Sequence, residues 1–126
     1  EAVKRLYAGK VIFHDGEAQV AEGVTVHCIG GHSRGLQCVR VQTDVGWMVL
    51  ASDAAHYYEN FMAQKPFPIV VDLQNMLDGF GTLKRLASTT NLIIPGHDPL
   101  VRELFPAGVA PHITRLDQGP LKDIPQ

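Results

Sequence analysis

Trp47-Met48-Val49-Leu50-Ala51 is an unbroken apolar run, entered from the turn Asp44-Val45-Gly46 and followed at once by Ser52-Asp53-Ala54. Such a run, bounded by a turn and by polar residues, reads as a strand buried on both faces. A carboxylate stands just past its carboxyl end. On the N-terminal side, Leu36 to Thr43 alternates, with Leu36, Cys38 and Arg40 on one face and Gln37, Val39 and Val41 on the other. Val24 to Ile29 is a further strand, ending at Gly30-Gly31, and Val11-Ile12-Phe13 a short one turned by Asp15-Gly16. Glu1 to Ala8 reads as the tail of a helix stopped by Gly9.

On the C-terminal side, Asp53 to Ala63 is expected as a helix capped near Ser52 or Asp53 and ended before Pro66. Asp72 to Ala87 is the clearest helix, because Leu73, Met76, Leu77, Phe80, Leu83 and Leu86 recur at spacings of three and four. Gly79 and Gly81 weaken it unless a neighbour packs closely there. Leu92-Ile93-Ile94 is a buried strand closed by Pro95-Gly96, Pro99 to Leu104 a short helix, and His112 to Leu116 a strand-like segment. The turn-rich tail from Gly119 to Gln126 is expected to be loose. The order β-β-β-β-α-α-β-α-β is an α/β layered arrangement within a single domain spanning 1–126.

Composition excludes several function classes. The 126 residues are 45% hydrophobic and 19% charged, the balance of a globular domain with a real core. A formal net charge of -2, with Lys4-Arg5 and Lys84-Arg85 as isolated basic pairs, offers nothing to a nucleic-acid backbone or an anionic membrane. No apolar run reaches membrane-spanning length, and a cytoplasmic location is the expectation. Glu1 replaces an initiating methionine, so a missing or processed N-terminus is expected. Cys28 and Cys38 are expected as buried reduced thiols. His27-Cys28 is no nucleophile and base pair, because neighbours in a strand point to opposite faces. A phosphate-cradling Gly-x-x-x-x-Gly-Lys loop is also missing from the sequence.

Three residues share one setting. His32 follows the strand Val24 to Ile29 after Gly30-Gly31, Asp53 follows Trp47 to Ala51, and His97 follows Leu92 to Ile94 after Pro95-Gly96. If these strands share a sheet, the three side chains converge on the rim where ligands of α/β sheets bind. Imidazole and carboxylate are the usual nitrogen and oxygen donors for Zn²⁺, and a carboxylate between two ions can bridge them. Singly, each has a bland reading: His32 as a solvated loop histidine, Asp53 as a helix N-cap, His97 as a turn residue. Their recurrence in one setting outweighs those readings.

Gly30-Gly31-His32-Ser33-Arg34-Gly35, Leu50-Ala51-Ser52-Asp53-Ala54 and Ile94-Pro95-Gly96-His97-Asp98 resemble, in order and separation, the last three motifs of the metallo-β-lactamase superfamily. Asp53-Ala54-Ala55-His56-Tyr57-Tyr58-Glu59-Asn60 and Pro66-Phe67-Pro68 look more specifically like N-acyl homoserine lactonases. The resemblance runs from about Tyr7 to Pro106. It implies the C-terminal half of an αββα sandwich, one mixed sheet with helices on one face. It also implies a two-zinc site opening a lactone or related ester, with His32 on one ion, His97 on the other and Asp53 bridging.

The chain departs from that family twice. The superfamily's first motif, His-x-His-x-Asp-His, supplies four of the ligands, and no such string occurs here; His14, His27, His56 and His112 are spread singly. The chain on its own is therefore expected to be inactive. Secondly, these lactonases often place a tyrosine three residues after the bridging carboxylate, where this chain has His56, with Tyr57 next. His56 is a candidate catalytic proton donor beside Asp53, with a helix-surface histidine as the alternative. The sheet face that meets the other half, expected to carry Val24, Val26, Trp47 and Val49, would be left as an apolar patch. Two copies packing sheet to sheet would cover it, as would a separate N-terminal half bearing the missing ligands. A non-catalytic dimerising half-domain with a vestigial metal site is the alternative function.

Overall fold

The computed structural model describes residues 1–125; of the tail expected to be loose, Gln126 lies outside them. The chain runs α1 (Ala2–Tyr7), β1 (Glu17–Ala21), β2 (Val24–Cys28), β3 (Gln37–Thr43), β4 (Gly46–Ser52), α2 (Tyr58–Met62), α3 (Leu73–Leu86), β5 (Ile93–Pro95) and α4 (Val101–Leu104). Single 3₁₀ turns cover Thr90–Leu92 and Leu116–Gln118. The strands form one mixed sheet in the order β1-β2-β3-β4-β5. Successive pairs from β1 to β4 are antiparallel, whereas β5 joins β4 in parallel after the chain has passed through α2 and α3.

Register sorts the side chains into two faces. Arg40 pairs with Val49, Gln42 with Trp47, and His27 with Cys38; Val41 pairs with Met48, Val39 with Leu50, and Val26 with Val39. The first set faces α3. The Arg40 guanidinium lies 3.8 Å over the Trp47 ring, and its Nε donates to Leu86 O on α3 at 2.8 Å. On this side Cys38, Val49, Ala51 and Ile93 are fully buried against Met76, Phe80 and Leu83 of α3, with Phe61 and Phe67 in the same cluster. The opposite face carries Val24, Val26, Val39, Val41, Met48 and Leu50 and is covered only in part, by Thr114 and Leu116. The sequence alone puts Val24 and Val26 on one face with Trp47 and Val49. Register separates them, because an unbroken apolar run does not reveal which of its residues point which way.

Helix α3 forms as its periodicity requires. Asp72 caps it, its carboxylate accepting from Asn75 N at 3.0 Å, and Met76, Gly79, Phe80 and Leu83 are the buried stripe. Gly79 is a packing glycine: a Cβ there would lie 2.7 Å from Ile29 Cγ2. Gly81 has no such reason, its nearest neighbour being Arg85 Nη1 at 3.5 Å.

Other expectations fail as well. Val11 to Phe13 is not a strand; β1 is Glu17–Ala21, a polar, largely exposed edge that the apolar pattern did not mark. Asp53 to Ala63 is helical only from Tyr58 to Met62, so Asp53 caps nothing. His112 to Leu116 holds a single bridge, Thr114 to Ala107. The tail is pinned, with Ile124 buried, Asn91 Nδ2 donating to Asp123 Oδ1 at 2.6 Å, and Leu121 N donating to Leu104 O. Cys28 is also exposed; Cys38 is buried, and burial pushes its thiol up to about 11. Among the described residues both are free thiols.

The His32 loop docks on α3 through Gly31. Its φ is +83°, its carbonyl accepts from Val71 N and Asp72 N, and a Cβ would lie 2.7 Å from Met76 Cα. Both the left-handed backbone and the contact with main-chain atoms exclude a side chain. Gly31→Ala should cost about 3 kcal/mol by combined strain and overpacking, measured by urea unfolding. A loss under about 0.5 kcal/mol would show that the loop is not docked this way.

Candidate metal centre

The three residues following β2, β4 and β5 do converge, because the carboxyl ends of β4 and β5 are adjacent and parallel and the Gly30-Gly31 turn brings His32 across beside them. Asp53 sits in the middle. Its Oδ1 is 2.7 Å from His97 Nε2 and 3.7 Å from His56 Nε2, and its Oδ2 is 3.8 Å from His32 Nε2. The two carboxylate oxygens thus face different imidazoles.

Local backbone chemistry sets this geometry. After Ser52, whose φ is +50°, the chain turns through Ala54 N to Ala51 O and Ala55 N to Ser52 O, projecting Asp53 off the strand end. The His97 loop is stitched to this turn by Gly96 N donating to Ala55 O at 2.9 Å and His97 N donating to His56 O at 3.0 Å. Asp98 lies behind the site: its Oδ2 accepts from Tyr58 N and its Oδ1 from Leu100 N, which fixes the start of α2 and the turn into α4. Asn60, buried, accepts from Tyr57 N and donates to Lys65 O, closing the short helix at both ends.

His32 Nδ1 lies 2.8 Å from Ile69 O, so Nδ1 carries the proton and Nε2 presents its lone pair toward Asp53. His56, expected as a proton donor or a helix-surface residue, is not on a helix. Its ring stacks on Phe67 at 3.7 Å with 12° between planes and meets the His97 ring edge-on at 4.6 Å. Burial, then the charge of His97, holds the His56 imidazole below its ordinary range; Asp53 pulls the other way and His32 adds to the lowering. His56 is therefore neutral near pH 7. The sequence marks His56 but gives no direct sign of Phe67 as the surface that orients its ring. Proline on both sides of Phe67 was the available signal for a rigid, positioned side chain.

The donor set fits a metal ion of the zinc class. A carboxylate and two imidazoles, Asp53, His56 and His97, present ligand atoms that all lie within 4.8 Å of one another. His32 stands 3.8 Å from the far oxygen of the same carboxylate.

The chain is similar in fold to several solved structures. An N-acyl homoserine lactone hydrolase with the product N-hexanoyl-L-homoserine bound at its catalytic metal center matches with a TM-score of 0.61 and 30% identity, over 68% of this chain and 35% of that one. A variant of AiiA from B. thuringiensis with N-decanoyl-L-homoserine at the active site gives the same values. AidC, a dizinc quorum-quenching lactonase, shares the fold at a TM-score of 0.59 and 15% identity, over 78% of this chain and 34% of that one. No protein-family model matches the chain, nor does any curated protein. The α/β fold, one mixed sheet with helices, matches part of the metallo-β-lactamase fold of these structures. Within it, its structural neighbours are N-acyl homoserine lactonases, and the chain spans about a third of the length of the solved structures it matches.

Proposed function

We propose that this chain supplies one side of the active site of a metal-dependent hydrolase that opens N-acyl homoserine lactones or closely related esters, and that it is inactive by itself. The observation that supports this best is Asp53 standing between His32 and His97, with a different oxygen toward each. His32 and Asp53 would hold one zinc ion and His97 and Asp53 the other. When bound, such ions polarise a carbonyl and supply a water that is nucleophilic near neutral pH. Asp53 orients the His97 imidazole, Ile69 O that of His32, and Phe67 the His56 ring. As a neutral imidazole, His56 suits taking a proton at Nε2 from the water that adds to the carbonyl and returning it to the leaving ring oxygen. The remaining ligands come from a segment with His-x-His-x-Asp-His that packs on the half-covered face of Val24, Val26, Val39, Val41 and Leu50.

That same face supports a second reading, in which two copies pack sheet to sheet as a non-catalytic homodimer with a vestigial metal site. No helix among the described residues is long and apolar enough to cross a membrane. We place the chain in the cytoplasm, a location its two unbridged thiols fit.

Opening of N-hexanoyl-L-homoserine lactone, followed by acid release, separates the readings. The chain alone with zinc should show only the background rate. Co-refolding with the His-x-His-x-Asp-His half of a lactonase should restore zinc-dependent opening. A zinc-loaded, folded mixture that still fails would overturn the lactonase reading. A dimer by light scattering that excludes the added half would favour the second.

A further inference from the structure

We propose that this chain, without any other segment, binds one divalent metal ion of the zinc class through Asp53 Oδ1, His56 Nε2 and His97 Nε2, so that His56 serves the isolated chain as a metal ligand. The inference rests on reading the rim as a metal centre, but not on the lactone substrate. A tetrahedral zinc ion with bonds of roughly 2.0–2.1 Å sets its donors about 3.3 Å apart. The separations from Asp53 Oδ1, 2.7 Å to His97 and 3.7 Å to His56, lie on either side of that spacing, and all three donor atoms are within 4.8 Å of one another. Changes of about 0.6 and about 0.4 Å bring those two separations to that spacing.

Three protein donors with a fourth position open is the composition of a zinc site that binds an exchangeable ligand. The site is also largely formed in advance. The His56 and His97 main chains are hydrogen-bonded to each other, and the His56 ring is held flat against Phe67, so little side-chain freedom remains to be lost on binding. His32 belongs elsewhere: it faces Oδ2, its ring is tied to Ile69 O, and with only a shared carboxylate beside it there are too few donors for a second ion. The expected stoichiometry is therefore one ion per chain. In a completed site, incoming histidines take over the ion, and His56 turns to the substrate.

The test is titration of the chelator-treated full chain with Co²⁺, read by the visible absorption of four-coordinate cobalt and by competition with Zn²⁺. One ion per chain is expected. His56→Phe keeps the stack on Phe67 and removes the donor; it should weaken binding by about 100-fold, as should His97→Ala, whereas His32→Ala should change affinity by less than about threefold. Far-ultraviolet circular dichroism confirms that each variant is folded. Unchanged affinity in folded His56→Phe, or absence of cobalt binding by the parent chain, overturns the proposal. Cobalt bound as expected, without lactone opening after co-refolding, defeats the lactonase reading alone. Restored opening with unchanged affinity in His56→Phe defeats this inference alone.

Discussion

Asp53→Asn should lower zinc affinity by at least about 100-fold and, in the co-refolded assembly, reduce lactone opening about 10³-fold or to background, while leaving the fold intact. Asp53 is the carboxylate among three imidazoles, hydrogen-bonded through Oδ1 to His97, with His56 3.7 Å from the same oxygen and His32 3.8 Å from Oδ2. Asparagine has the same shape but replaces one oxygen with a hydrogen-bond donor that no metal accepts, and it removes the negative charge that offsets a dication. The fold should hold because Asp53 caps no helix and its turn is closed by the backbone bonds of Ala54 and Ala55. Urea unfolding should therefore shift by less than about 1 kcal/mol. Wild-type metal affinity in the folded variant would remove Asp53 from the site.

Gly96→Ala should have the next largest effect. A Cβ at Gly96 would stand 2.7 Å from Ser52 O and 2.9 Å from Ser52 C, main-chain atoms that cannot rotate aside. The His97 loop would have to retreat from the Asp53 turn, stretching the hydrogen bonds to Ala55 O and His56 O that hold them together. A displacement of this kind costs roughly 100-fold in a rate that depends on placement, with about 1–3 kcal/mol of stability lost to overpacking. Gly81→Ala is the control, since it meets nothing closer than 3.5 Å; it should gain about 0.5–1 kcal/mol as an alanine within a helix and leave the rate unchanged. Equal rates in the two variants would mean that the Gly96 contact does not set the site.

The rim is legible in the sequence because three apolar strands are each followed within a few residues by a metal-competent side chain. Helix α3 was legible for a related reason, its apolar spacing being long and regular. What escaped was whatever lacked a period. β1 is built from Glu17, Ala18, Gln19, Val20 and Ala21, and what makes it a strand is its pairing with β2. The face assignment of β4 is fixed by its register with β3, which no residue within Trp47 to Ala51 encodes. The placement of His56 is hidden because Asp53 to Ala63 reads in sequence as one helix. A helix would have placed His56 by simple periodicity, whereas the turn with buried Ala54 and Ala55 folds it back over Phe67 and against Asp53.

Crystals of the chain grown with zinc, with anomalous scattering recorded at the zinc edge, test the metal centre most directly. The expected result is a zinc peak bonded at about 2.0–2.1 Å to an Asp53 carboxylate oxygen and to His97 Nε2. Zinc lodged only at other positions, with the His97 to Asp53 hydrogen bond still intact, would contradict it.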